Sequence, residues 1–443
     1  MNWNELLSSQ RSADKKAQHE QGRSAFEQDF DRIVFSYPFR RLQDKTQVHP
    51  LPEHDFVHTR LTHSLEVSSV GRSLGKRVGE IVLERNKSLS EQYSAHDFGA
   101  IVAAASLTHD IGNPPFGHSG EDAISEFFKS GPGKKYESQV SKLEWADLTN
   151  FEGNAQGFRI LNKSRYQGIQ LTYATLAAFS KYPRQSIIEN QDKSRRSQKK
   201  YGFFQSEKET FKSIAEQTGL KPLGEFTWTR HPLAFLVEAA DDVCYHLIDL
   251  EDGCRLGLVS YEQTVELMAS ILKDKFNKEK LERIDTKDER IGILRAMAVG
   301  QLISECSELF LDNEQALMKG EYDISLTDSV PSSSVLEEVI SISVQKIYRS
   351  RNVMETEAAG FEVLPGLLEV FTEAIVNKEK TSKTKKDKAI ERLLPPEVQL
   401  DLSLNQDNVY NQLLCCVDFV SGLTDRHAIS MFRKIKGISL PNA

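Results

Sequence analysis

An all-α fold is predicted by three features of this 443-residue chain. Apolar residues recur at helical steps of three and four wherever a pattern can be read, strand-type alternation is rare and short, and the periodic runs end at glycine and proline. With 39% hydrophobic and 27% charged residues, the composition is that of a globular protein with a full core, and no apolar run is long enough to span a membrane. The 64 acidic residues outnumber the 56 basic ones, for a formal charge of -8, which excludes a histone-like basic field. Any polyanion would have to meet a local basic patch. Cys244, Cys254, Cys306, Cys415 and Cys416 are odd in number and lack CxxC spacing. They disfavour a disulfide framework or a zinc ribbon and fit a reducing cytoplasm. The opening MNWNELLSSQRSADKK has no apolar leader segment, so an unprocessed cytoplasmic protein is expected.

Each element follows from its pattern. After His63, the residues Val67, Val70, Leu74, Val78, Ile81 and Val82 form one helical stripe, with His63 one turn ahead on the same face. The next helix, DFGAIVAAASLTHD, is rich in small residues that allow close packing, and Gly112 with Pro114-Pro115 stops it, leaving His109 and Asp110 at its C-terminal end. A third helix starts near Pro232 and runs through PLAFLVEAADDVCYHLIDLED, apolar on most of its surface and therefore expected to be central. Helical patterns resume in LERIDTKDERIGILRAMAVGQLISECSELFL, SVLEEVISISVQKIYRS and NVYNQLLCCVDFVSGLTDRHAISMFRKIKGI. Two lysine-rich polar stretches, 190–202 and 377–391, read as solvated loops, with a basic lid or nucleic-acid contact as the alternative. The expected organisation is a core over 1–260, with an N-terminal arm and an inserted polar loop around 190–202, followed by a helical region over 261–443.

His63, the pair His109-Asp110 and Asp241 each lie on or at the end of an apolar helix. An unpaired polar group there costs on the order of a few kcal/mol, so each needs a partner. A shared divalent cation satisfies all four. Two imidazoles and two carboxylates suit manganese, iron, magnesium or zinc, and incomplete protein coordination leaves room to activate a water for phosphoester hydrolysis. Taken singly, each is more often a satisfied core residue than a ligand. Their order (H, then HD, then D, on three helices) resembles the metal signature of the HD-domain phosphohydrolases.

The resemblance is closer in GRSAFEQDFDRIVFSYPFRRLQDKTQVHPLPEHDFVHTRLTHSLEVSSVGRSLG, HDIGNPPFGHSGE, FEGNAQGFRIL, KYPR, HPLAFLVEAADDVCYHLIDLEDG and SGLTDRHA. Together these segments resemble the bacterial deoxyguanosinetriphosphate triphosphohydrolases from about Gly22 to Arg426. The resemblance implies hydrolysis of dGTP, or of other dNTPs, to a deoxynucleoside and inorganic tripolyphosphate. It implies a divalent metal (magnesium or manganese first, with iron, zinc, cobalt or nickel as alternatives) and a homo-oligomer, hexamer or dimer. An activating dNTP or single-stranded DNA is a further implication, and no membrane is involved. The alternatives are another HD-domain nucleotide phosphohydrolase, or a nucleic-acid-binding or nucleotide-sensing protein whose HD site is regulatory.

Individual residues then acquire roles. Ser119 and Asp122 have the spacing of a capping box, so His118 and Glu121 would flank a helix N-terminus that attracts phosphate oxygens. The resemblance makes His118 and Glu121 catalytic. Asp241, Tyr245 and Asp249 are spaced i, i+4 and i+8 on one helix face. By resemblance Tyr245 packs on the sugar and base, and Asp249 takes a hydrogen bond from the 3′-hydroxyl. Arg60, a turn before His63, is either a phosphate contact or a surface arginine. Gln47, Asn154, Lys181 and Tyr182 match substrate-binding positions, and Glu357 and Arg426 match positions without an assigned role. Two departures stand out: Gly153 occupies the place of a histidine in some relatives, and Asp242 that of a lysine in eukaryotic ones.

Overall fold

Three glycines in a row decide how the central helices meet. In the computed structural model, which describes residues 1–11, 22–47, 58–163, 169–376 and 383–439, the helix Arg60–Arg85 lies against the helix Ala95–Thr108. Gly71, Gly75 and Gly79 form the contact row, and a Cβ on Gly75 would lie 2.6 Å from the backbone oxygen of Phe98. The two backbones therefore approach more closely than any side chain at these positions would allow. Val67, Val70, Leu74, Val78 and Val82 are buried as the periodicity predicts. Ile81 is only partly buried, because the glycine row takes the inward positions and leaves it at the edge of the stripe.

The helix Pro232–Arg255 packs on both of these, with proline at its first turn and His231 as N-cap, its ring nitrogen accepting the Leu233 N–H. Its apolar surface enters a cluster that also takes Ala298, Leu302, Cys306 and Phe310 from the helix Lys287–Asp312. Segments on both sides of residue 260 thus share one core. A second cluster joins the helix Gly117–Lys129 to Arg351–Ile375 and Val409–Ser421, and a third gathers Leu250, Val259, Met268, Leu294, Val339 and Ile347. The sheet among the described residues is a two-stranded antiparallel pair, Pro222–Gly224 with Thr227–Trp228. The fold is all-α, as expected. All five cysteines are free, and no described helix is long and apolar enough to cross a membrane.

The polar stretch 190–202 is solvated, as its composition suggests, only in its first part: 190–194 are exposed, whereas most of 195–202 packs against the protein. Two arginines there meet buried carboxylates: Arg195 pairs with Asp323 at 2.8 Å and Arg196 with Glu238 at 2.9 Å, while Arg196 also reaches the exposed Asp328 at 2.9 Å. Ser197, Gln198 and Tyr201 are buried. Of the second stretch, 377–382 lies outside the described residues, and Lys385–Glu391 is a helix closed by a capping box of Thr384 and Asp387. A further polar network crosses the molecule, in which Arg159 and Gln156 donate to Asp418 on the helix Val409–Ser421. Nearby, Tyr410 Oη donates to Asp147 Oδ2 at 2.5 Å.

Two outcomes are expected from this packing. Gly75→Ala should lower stability by about 1–3 kcal/mol in equilibrium unfolding, because the neighbour it meets is backbone and cannot rotate away. Burial pushes the Asp147 carboxyl up to about 7, against the hydrogen bonds of Ser186, Tyr410 and the Gln205 amide. The folded state then holds this proton to higher pH than the unfolded chain, so the group's stabilising contribution is full below about pH 4 and is lost as the pH rises towards 7. Asp147→Asn should flatten the stability profile over that window, as read by urea unfolding across pH.

Candidate active site

Three helices deliver the four candidate ligands to one point. His63 lies in the first turn of Arg60–Arg85, His109 is the C-cap of Ala95–Thr108 with Asp110 next to it, and Asp241 lies in the third turn of Pro232–Arg255. Asp241 Oδ1 is 3.4 Å from both His63 Nε2 and His109 Nε2, and Asp110 Oδ2 is 3.5 Å from His109 Nε2. His109 Nδ1 sits 2.7 Å from the Ser106 carbonyl, which can only accept, so the proton is on Nδ1 and the Nε2 lone pair is free. That Nε2 is buried with no hydrogen-bond partner. An orphaned imidazole lone pair facing two carboxylates fits a divalent cation, and His63, His109 and Asp110 each offer a ligand atom within 4.8 Å of the others.

The surroundings keep both carboxylates ionised. Burial opposes the charge on Asp110, but Arg60, His109 and His63 outweigh it and hold the carboxyl at about 2. Burial likewise opposes the charge on Asp241, and Lys181, His109 and His63 hold it well below the usual carboxylate range. Arg60 Nη1 donates to Asp110 Oδ2 at 2.7 Å, and Lys181 Nζ to Asp241 Oδ2 at 2.5 Å. Arg60 is buried, which removes the surface-arginine reading.

A cavity of about 500 Å³ opens over this cluster. Gln47, Arg60, His118, Glu121, Asn154, Lys181, Tyr182 and Tyr245 line it together with His109, Asp110 and Asp241. His63 is buried and outside the lining. Asp249 is also buried and outside the lining: its Oδ2 accepts the Tyr348 hydroxyl at 2.7 Å, and Tyr348 in turn stacks on Tyr245 with ring centroids 5.5 Å apart. Burial pushes the Asp249 carboxyl up to about 7.

His118 and Glu121 stand together at the start of the helix Gly117–Lys129, but the expected capping box of Ser119 and Asp122 is absent. The helix begins three residues earlier than a Ser119 cap would require, behind a left-handed Phe116 with φ 65°, so Ser119 is already inside the first turn and cannot cap it. His118 Nδ1 is 2.7 Å from Glu121 Oε2, while Glu121 Oε1 accepts the Gly153 N–H at 2.6 Å. The Glu121 hydrogen bond raises the imidazole above its ordinary range although the ring is 85% exposed within the cavity. Burial opposes the charge on Glu121, and His118 and Lys200 still hold its carboxyl below the usual range. A Cβ on Gly153 would come within 2.3 Å of Asn113 Oδ1 and 2.8 Å of Glu121 Oε1, so a histidine there would displace both side chains from their present places.

Lys200 and Tyr348 line the cavity without any local signal in the sequence. Lys200 sits in the lysine-rich stretch, where nothing separates it from surface charge, yet its Nζ lies 3.2 Å from Glu152 Oε1 and 4.0 Å from Glu121 Oε2. Tyr348 follows a helical run 99 residues beyond Asp249, and only folding brings the two together.

Comparison with known proteins agrees with this geometry. Residues 60–147 match the HD domain family, and residues 333–434 match the phosphohydrolase-associated domain. The chain is 42% identical to a deoxyguanosinetriphosphate triphosphohydrolase-like protein of Synechocystis sp., over 99% of this chain and 100% of that one. It is 39% identical to a protein of the same name from Pseudomonas aeruginosa, over 100% of both chains, and 35% identical to one from Listeria monocytogenes, over 99% of this chain and 100% of that one.

Loss of a ligand should be visible without any assay of turnover. Asp241→Ala and His109→Ala are each expected to weaken manganese binding by at least the roughly 10–100-fold that loss of a mere supporting partner costs, measured by metal analysis after gel filtration. Full retention of manganese in both variants would remove them from the ligand set.

Proposed function

We propose, for a chain that belongs to the HD-domain family of deoxyguanosinetriphosphate triphosphohydrolase-like proteins, that it hydrolyses deoxynucleoside triphosphates, dGTP foremost, to deoxynucleoside and inorganic tripolyphosphate. The observation that carries this reading is a single cavity that opens over the His/His/Asp/Asp cluster and is lined by the His118–Glu121 pair, three cationic side chains and two stacked tyrosines. A triphosphate needs the cations, and Arg60, Lys181 and Lys200 supply them. A deoxyribose and base need a flat apolar surface, and Tyr245 stacked on Tyr348 offers one; a sugar packed against it at the 2′-carbon would leave no room for a 2′-hydroxyl. Glu357 lines the same cavity and is a carboxylate acceptor suited to the adjacent N1–H and 2-amino donors of guanine, a pair no other DNA base presents.

His63, His109, Asp110 and Asp241 would hold the divalent cation, magnesium or manganese first, which supplies polarisation of a phosphate oxygen and acidification of the attacking water. The chain's own groups do the rest. Water adds to the α-phosphorus and the bond to the 5′-oxygen breaks, so that oxygen must receive a proton. His118, with Nδ1 engaged by Glu121, keeps Nε2 as its donor, and the raised pKa keeps the proton on it to higher pH than on an ordinary histidine. Arg60 and Lys181 screen the charge that grows on the phosphate oxygens. Asn154, Gln47 and Tyr182 complete the cavity wall as substrate contacts, and Asp249 acts on the sugar through Tyr348. Assembly into a hexamer or dimer, activation by a dNTP or single-stranded DNA, and a cytoplasmic location consistent with five free cysteines belong to the same proposal.

The decisive assay supplies dGTP, dATP, dCTP, dTTP and GTP separately with manganese or magnesium and identifies the phosphate product by ion chromatography. Tripolyphosphate from the deoxynucleotides, with little from GTP, is expected; orthophosphate or pyrophosphate would assign a different HD reaction. His118→Ala should lower kcat by about 10²–10⁴-fold. The alkaline limb of the kcat profile should lie above the ordinary histidine range, and Glu121→Gln should shift it to lower pH, because the carboxylate that stabilises the imidazolium is gone.

A further inference from the structure

Asp425 opens the helix Asp425–Ile435, where a first-turn carboxylate ordinarily serves the N–H groups of its own helix. Asp425 instead turns both oxygens to distant amides. Its Oδ1 accepts the N–H of Phe116 at 3.1 Å, and its Oδ2 accepts the N–H of Thr46 at 3.0 Å, from 309 and 379 residues away in the chain. The side chain is 1% exposed.

Both amides belong to the wall of the active-site cavity. Phe116 and Gly117 have φ values of 65° and 60°, two successive left-handed residues of which the first carries a bulky side chain. That conformation persists only where the surroundings over-determine it. It is also the turn that launches the helix carrying His118 and Glu121, so the direction of the pair depends on it. Thr46 precedes Gln47 and lines the cavity beside it. Lys45 reinforces the same junction, its Nζ donating to Asn113 O at 2.5 Å and to Ser421 O at 2.9 Å, and Arg41 Nη1 donates to Gly422 O at 2.9 Å.

We propose that Asp425 is a positioning residue of the active site, a carboxylate contributed by the phosphohydrolase-associated region to fix the Phe116–Gly117 turn and, with it, the His118–Glu121 pair in the HD region. The role in turnover rests on the hydrolytic reading above. Two parallel N–H donors require an acceptor with two oxygens, and asparagine would present one of them with an NH₂ group. The associated region is then needed for orienting the catalytic pair as well as for covering the core.

The test uses the full chain with Asp425→Asn. With dGTP and manganese, kcat is expected to fall roughly 10–100-fold, the scale of a misoriented catalytic group. KM should change by less than about threefold, since most of the cavity wall is untouched. In a His118→Ala background the same substitution should cost less than about twofold, because the group it positions is already missing. Hydrogen exchange by mass spectrometry reads the turn directly: segments 111–121 and 41–47 should exchange faster while the helices Arg60–Arg85 and Pro232–Arg255 keep their protection. Equal losses of kcat in both backgrounds, or a general rise in exchange, would overturn the assignment and make Asp425 a plain structural residue. Should Asp425→Asn not fold, Lys45→Gln loosens the same turn from the Asn113 side and is expected to give the same pattern of exchange and kcat. Absence of dNTP hydrolysis by the unaltered protein would defeat the functional reading instead, and the exchange measurement alone would then decide the role of Asp425.

Discussion

Two carboxylates, Asp110 and Asp241, each have an oxygen within 3.5 Å of His109 Nε2, at the meeting point of three apolar helices. Such a concentration of charge in a dry setting is tolerable only if each oxygen has a partner, and the groups around it follow from that need. Arg60 and Asn113 take the two oxygens of Asp110, and Lys181 takes the outer oxygen of Asp241. Asp241 Oδ1, and Asp110 Oδ2 from beside Arg60, face an imidazole nitrogen that has no hydrogen-bond partner. The cluster is therefore balanced on its outside and incomplete at its centre, which is the condition for holding a cation there.

The close helix contact sets the geometry at this point. Gly71, Gly75 and Gly79 let Arg60–Arg85 sink against Ala95–Thr108, which brings the first turn of one helix to the last residues of the other and sets the His63 and His109 rings 5.2 Å apart. Larger residues in that row would separate the two imidazoles as well as weaken the core. Stability and ligand geometry here share one cause, so substitutions in the helix contact will reach the site.

The C-terminal part contributes through isolated side chains carried to the cavity from far along the chain. Tyr348 forms the second tyrosine of the stack, and Glu357 adds a carboxylate to the lining. Asp425 reaches across to the turn before His118. Lys200, from a stretch that composition alone reads as solvent-exposed, is held among Glu121, Glu152 and the cavity wall. Each arrives on an element whose own burial pattern is unremarkable, and each matters because of what it meets.

The primary structure by itself determined the helices and the inward stripe from Val67 to Val82, because helical periodicity and helix stop signals are local properties of the chain, and it offered four candidate ligands through the order H, HD, D. It also brought Asp241 and Tyr245 onto one face, since a four-residue step does so in any helix. Where the outcome depended on distant groups, local reasoning failed. The capping box at Ser119 is absent because the chain enters that helix through a left-handed turn bound to Asp425, and the second half of the stretch 190–202 is drawn onto the protein because Asp323 and Glu238 await its arginines. Asp249 ends on Tyr348 and outside the cavity lining for the same reason. Partners separated by tens to hundreds of residues leave no periodic trace, so only tertiary packing decided which charges are neutralised, which turn is held in strain and which face of the site is closed.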